Sequence, residues 1–485
     1  MFELAVVVVT VGAMMYRLGE YSIVSIGYSA IVLALFVMGV GRSRQGIVFG
    51  VLAGCLLVLG ALAVWRIDTP FENTIFGDRA FDAKVLTYDR RLEKTNIIVQ
   101  DIEHDQKIQL TTKETVFVLP GDILTVRGAV EAPEDFVTQT GRVFEYRTYL
   151  ESKGIVGLVQ NPTLGPVTAQ DFSLSRIPTR IRYAVADIFS EYVAFPFDGV
   201  LAGMLVGYQG GLPSYIQDLF RNTGVLHVLV LSGYNITLLA GFLGVAFKGL
   251  PFRVRTIITI IAIILLVLVS GAGVASVRAG IMGAIAVFAG LAIRTYQPLR
   301  ALMVAYSIFF FVSPTTIFVD PGFHLSFLAT LFIVVVLPKV ETLFGWIPKT
   351  NHVDLRELIM LAVSAPLFML PYMMYFSGIF PFSSPLANSM FALATPLVMV
   401  AGMVLIALSW ITPLATFVGI LLSGFGTLVL KILEWCNTIY IWQTPSLAWW
   451  GVSAIYVLVL AIVFRRELMN FFVQLYRNLR QQPSS

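Results

Sequence analysis

The chain has 485 residues, 57% of them hydrophobic and 13% charged, with a mean hydropathy of +0.82. That composition excludes a soluble enzyme, because no aqueous fold hides repeated apolar runs longer than about 18 residues. The net charge of +4 conceals a partition, since residues 66–175 carry a net of −5 and the remainder +9.

In chain order, apolar runs at about 2–16, 21–41 and 46–65 are separated by Arg17 and by Arg42-Ser43-Arg44. Three runs in tandem predict retained membrane spans over residues 1–65 rather than one cleavable signal. Residues 66–172 change to short alternating segments such as AFDAKVLTY, TNIIVQDI and GDILTVRGAV, punctuated by Gly, Pro, Asp and Asn. They predict an inserted all-β domain of about five strands, a small closed barrel of the OB type, with another small β-sandwich as the competing arrangement.

Residues 173–222 open with RIPTRIRYAVADIFSEYVAF, where Arg176, Arg180 and Arg182 accompany apolar residues. This predicts an amphipathic segment on the membrane surface. It is followed by LAGMLVGYQGGLPSYIQDLFRNTG, which Gly and Pro break too often for a plain span. Nine further apolar runs, at about 225–247, 256–270, 275–293, 301–312, 322–338, 357–378, 385–409, 412–433 and 447–464, predict a transmembrane helical domain over 223–464. The fold expected is a polytopic α-helical membrane protein of about twelve spans carrying the β domain, with some short runs as re-entrant segments.

Positively charged loops stay cytoplasmic. The clusters Arg42/Arg44, Lys248/Arg253/Arg255, Arg294/Arg300, Lys339/Lys349/Arg356 and the basic tail 465–485, with Arg465, Arg466, Arg477 and Arg480, all fall on one side of a twelve-span arrangement. The β domain is then outside the cell (inner) membrane and the C-terminus inside. The two cysteines, Cys55 and Cys436, lie in apolar runs, so the β domain has neither a disulfide nor a Cys-based metal site.

Polar groups within a bilayer are costly and are therefore functional candidates, with hydrogen-bonded structural roles as the competitor. Four places qualify. The first is HVLVLSGYNITLL, with His227, Ser232, Gly233, Tyr234 and Asn235, where at helical spacing His227 and Asn235 share a face and SGYN favours a local break. The second is SGAGVASVRAGIMG, with Ser276 and Arg278, the one arginine expected inside the apolar part; it either snorkels outward or offers its planar donors to an anion. The third is VDPGFHLSFLAT, with Asp320, His324 and Ser326, where Asp320 caps a helix in the simpler interpretation. The fourth is FSSPLANSMFALATP, in which Asn388 and two prolines mark a kinked span.

No H-x-E, H-E-x-x-H or H-x-H-x-D-H pattern surrounds His104, His227, His324 or His352, and there is no G-x-x-x-x-G-K-[ST] phosphate loop. No metal, cofactor or catalytic constellation is therefore expected, and the energy for transport must come from elsewhere.

Taken in this order, the segments resemble the ComEC family of competence proteins, the inner channel through which transforming DNA enters bacteria. GVLHVLVLSGYNITLLAG is similar to the family's His followed five residues later by Ser-Gly in an apolar helix. SVRAGIMG resembles S-x-x-R-A-x-x-M, and GFHLSFLAT resembles G-F-x-L-S-F-x-A-T. TGRVFEYRTYLESKGIVGLV resembles the family's exit from its OB domain. The resemblance implicates His227, Ser232, Gly233, Arg278, Phe323, Ser326 and Asn388 without assigning each a role. Asn235 stands where many members have a second histidine, which removes a His-pair role here. Many members also end in a metallo-β-lactamase-like domain, and the resemblance is to a form lacking it.

The function implied is a channel passing single-stranded DNA to the cytoplasm, with membrane lipid around it. A separate nuclease, a cytoplasmic ATP-driven motor and a DNA receptor are the partners, the receptor because an acidic outer domain repels DNA unless Arg79, Lys84, Arg90, Arg91 and Lys94 gather on one face. The alternatives are a secondary transporter of a small anion and an intramembrane hydrolase with Ser232 as nucleophile and His227 or His324 as base.

Overall fold

The computed structural model describes residues 76–463, except 93, 115, 138–142, 342–354, 440, 445, 446 and 448, together with 465, 469 and 473. The three N-terminal spans, Arg42, Arg44, Cys55, Lys349, His352 and most of the basic tail lie outside the described residues.

Alternation builds the β domain. In β2 (Thr95–Asp101) and β3 (Lys107–Thr112), Ile97, Val99, Ile108 and Leu110 point inward and are fully buried, while their neighbours are half-buried or exposed. The long β1 (Gly77–Arg90) pairs antiparallel with β2 on one edge and with β4 (Asp122–Val130) on the other, and its register shifts between Val85 and Thr87. After the two-residue strands β5 (Phe136–Val137) and β6 (Val143–Phe144) and the short helix α1 (Tyr146–Ser152), β7 (Ile155–Gln160) returns parallel to β3. Glu131, just past β4, exchanges two backbone hydrogen bonds with Leu158 of β7 at 2.8 and 2.9 Å. The order β7-β3-β2-β1-β4 thus meets itself, with β8 (Thr163–Gln170) added on β4.

The amphipathic segment forms α2 (Arg176–Tyr192), and its apolar face is covered by protein. Tyr183 enters the barrel core, whereas Ala186 and Phe189 join the core of the helical domain. Arg176 pairs with Asp122 of β4 at 3.0 Å, and Arg182, 9% exposed, donates through Nε to the Val269 carbonyl. The broken stretch that follows yields α3 (Phe197–Val206) and α4 (Ser214–Asn222), with α3 enclosed on all sides. Small residues make that possible: a Cβ at Gly419 or Gly426, two turns apart on one face, would overlap the Tyr192 carbonyl or the Phe197 ring.

Each of the nine apolar runs beyond residue 224 contains a helix. They are α5 (Gly233–Ala246), α6 (Phe252–Val269), α7 (Val274–Leu291), α8 (Pro298–Val312), α10 (Pro321–Leu331), α11 (Leu355–Phe376), α12 (Ser384–Leu408), α13 (Thr412–Asn437) and α14 (Trp449–Val463). A short α9 (Pro314–Val319) precedes α10, which runs on through a π-helical turn to Val340. Among the described residues five helices are long and apolar enough to cross a bilayer, α6, α7, α10 with its extension, α12 and α13. One expectation changes: of the two prolines thought to kink the fourth polar place, Pro385 starts α12, where its missing N–H costs nothing, and Pro396 alone lies inside the helix.

The C-terminal carbonyls of α6 carry partial negative charge, and Arg182 is the buried donor that meets one of them. Replacing Arg182 by Met should cost about 1–3 kcal/mol and lower the thermal midpoint of the detergent-solubilised protein. The exposed Arg180→Met should leave the midpoint where it was.

Candidate functional site

The run at 225–247 is not one helix. Gly224, at φ +75°, ends α4 in the left-handed region, and a 3-10 turn over Leu226–Leu229 follows. Val230 and Ser232 are then extended before α5 begins at Gly233. His227 and Asn235 therefore do not lie along a continuous helix, because the break falls between them. The Ser232 hydroxyl caps α5, accepting from the Asn235 backbone N–H at 3.4 Å and donating to its side-chain oxygen at 3.1 Å. The Asn235 amide donates to the Met204 carbonyl at the end of α3, at 2.9 Å. Its whole side chain is consumed in holding the break closed against α3. His227, in the 3-10 turn, is exposed.

The fourth place adjoins the first. A Cβ on Gly224 would stand 2.7 Å from the Ser384 hydroxyl, so only glycine lets the loop pass the start of α12. There Asn388 donates to the Ser384 carbonyl and hydroxyl at 2.8 and 2.9 Å.

The first turns of α7 stand between the first and third places. Arg278 and Ala279 face Gly233, while Val274 and Val277 pack on Phe323 of α10. Ser276 is 3% and Arg278 8% exposed, and the Arg278 Nε is buried without a hydrogen-bond partner among the described residues. In the third place Asp320 caps α10 by accepting from the Phe323 N–H at 3.1 Å. His324 Nε2 donates to the Ile317 carbonyl at 2.7 Å, which leaves Nδ1 facing the Tyr372 hydroxyl at 2.9 Å. The Ser326 hydroxyl is buried without a hydrogen-bond partner among the described residues. All four places thus gather around α5, α7, α10 and the start of α12. Tyr234, 47% exposed, and His227 are turned outward. Ser232 is bonded to Asn235, and among the described residues no histidine contacts it.

Outside the bundle, much of the basic set on the β domain is neutralised locally. Arg79 pairs with the buried Asp101 at 2.9 Å and Arg91 with Asp89 at 3.0 Å. Lys84 pairs with Asp171, and this contact holds the Asp171 carboxyl below the usual carboxylate range. Among the described residues no group of three or more His, Cys, Asp or Glu is placed to hold a metal.

Two features escape the sequence. Arg182 belongs to a repeating basic pattern in which nothing separates it from the exposed Arg180, so its burial is invisible before the fold is known. Tyr372 lies 48 residues from the His324 it meets.

Residues 204–469, more than half of the chain, match the family of competence proteins. The chain is 23% identical over 341 residues to ComE operon protein 3 of Bacillus subtilis (strain 168), covering 67% of this chain and 40% of that protein. The chain therefore spans less than half the length of this relative. No solved structure is significantly similar.

Asn235→Ala removes the bond to Met204 and leaves a buried carbonyl unpaired, which should cost about 1–3 kcal/mol. Limited proteolysis of the purified protein should then cut faster within residues 225–235, whereas Thr237→Ala, on an exposed side chain of the same helix, should leave the cleavage pattern unchanged.

Proposed function

The chain belongs to the competence-protein family, and on that premise we propose that it is an inner-membrane passage for single-stranded DNA during natural transformation. The observation carrying this reading is the interrupted segment at Val230–Ser232, beside which His227 is exposed. Irregular backbone at membrane depth is tolerated where it is buried in protein or lines a water-filled cavity. Arg278 of α7 stands beside Gly233 and Ser384 of α12 beside Gly224, so polar side chains flank that interruption, as a hydrated route requires.

In this reading the bundle has about twelve spans, counting three before the β domain. The alternating basic clusters place the β domain outside and the tail in the cytoplasm. We assign the β domain to the OB type, on the support of its five-strand order closing through Glu131 and Leu158. Ion pairs neutralise Arg79, Lys84 and Arg91 on β1 and the turn after it, which favours delivery of the strand by a separate receptor. A separate nuclease and a cytoplasmic ATP-driven motor complete the proposed system, since no phosphate loop or metal-binding histidine motif is present in the sequence. The engaged Ser232 hydroxyl supports a passage over a serine hydrolase.

Cells with a clean deletion should fail to internalise labelled DNA while still binding it at the surface, and restoring the chain should restore entry. Unchanged internalisation in the deletion strain would remove this function. For orientation, single cysteines replacing Glu103 and Gln482 should differ in intact cells, with an impermeant thiol reagent reaching the first and not the second.

A further inference from the structure

Two arginines are buried among the helices, and their surroundings are opposite. Arg182 donates to Val269, at the C-terminal and electronegative end of α6. Arg278 meets no such acceptor. Its Nε is buried and unbonded, and it forms neither a hydrogen bond nor an ion pair among the described residues.

The position of Arg278 sharpens the anomaly. Gly233 lies against Ala279, and Gly283 against Ile236, so α5 and α7 run parallel, with the first turn of α5 beside the second and third turns of α7. A helix N-terminus carries roughly half a positive charge, and that of α5 adjoins the guanidinium. The N–H groups of Gly233 and Tyr234 have no acceptor among the described residues, because the Ser232 hydroxyl serves Asn235. Gly233 has no side chain to fill the gap, and its absent Cβ would stand 4.0 Å from an Arg278 terminal nitrogen. A buried guanidinium thus stands beside the free N–H groups of Gly233 and Tyr234.

We propose that Arg278 and the adjoining N-terminus of α5 form a binding site for a phosphodiester anion. The planar fork of the guanidinium matches two phosphate oxygens, and helix N-termini supply further donors without side-chain rearrangement. The inference rests on the passage reading for the source of the phosphodiester, the entering strand. A phospholipid headgroup carries the same chemistry.

The test uses the full chain in phospholipid-free detergent, with a fluorescein-labelled oligothymidylate and, separately, a short-chain phosphatidylglycerol. Arg278→Met should weaken oligothymidylate binding roughly tenfold or more and Arg278→Lys by less, in line with the strength of charged hydrogen bonds. The thermal midpoint of the unliganded Arg278→Met protein should stay level or rise, because an unpaired buried charge has been removed. Gly233→Ala provides a second variant: its methyl has room at 3.8 and 4.0 Å from its neighbours, yet it stands between the N-terminus and the guanidinium and should also weaken binding. Equal oligothymidylate affinity in wild type and Arg278→Met would overturn the site, as would a falling midpoint in Arg278→Met. Arg278-dependent binding of phosphatidylglycerol alone would overturn the strand as its ligand. Entry of labelled DNA in the deletion strain would defeat the passage reading instead, and it would leave the binding result standing.

Discussion

A backbone interrupted inside an apolar bundle must find hydrogen-bond partners within the protein, and this requirement organises the helical domain. The break between the 3-10 turn and α5 exposes donors and carbonyls that a bilayer cannot satisfy. Ser232 supplies the cap, and Asn235 ties the cap to the end of α3. That tether joins the break to α3, which the hydrophobic core of the bundle buries on every side. The same economy appears at α6, whose last carbonyls face Arg182 from α2. Because α2 also sends Tyr183 into the barrel core, the β domain and the helices share one structural element.

Close packing supplies the second constraint. Gly224 passes Ser384, Gly283 admits Ile236, and Gly419 with Gly426 admits the turn between α2 and α3. Each missing Cβ admits a neighbour's side chain or, at Gly419, a backbone carbonyl, and such close fits are how helices associate when hydrophobic burial no longer drives them together. The polar side chains are therefore gathered at the few places where helices are either broken or beginning. Such places offer free N–H groups and positive potential, and they suit an anionic substrate better than a neutral one.

Much of this was legible in the residues. Strict alternation in TNIIVQD marked β2, and the apolar runs located helices because apolar length is itself the physical signal. Asp320 before Pro321 and Gly322 announced a capped helix. What remained hidden depended on tertiary contact. The interruption before SGYN was readable as a tendency, but its partner, the Met204 carbonyl, is backbone and leaves no mark on side-chain pattern. The arginine pattern of α2 resembled a membrane-surface face, whereas the fold turns Arg182 inward and leaves Arg180 exposed. Arg278 was conspicuous as a charge in an apolar run. Its lack of a partner became visible only once α5 lay beside α7.

The central claim is that the entering strand passes the break at the start of α5. A photoreactive amino acid in place of Tyr234, 47% exposed at that break, should crosslink labelled DNA in transforming cells. The same residue in place of Ile257, 53% exposed on α6, should not. Adducts at Ile257 equal to those at Tyr234, or none at Tyr234 in cells that are taking up DNA, would contradict the account.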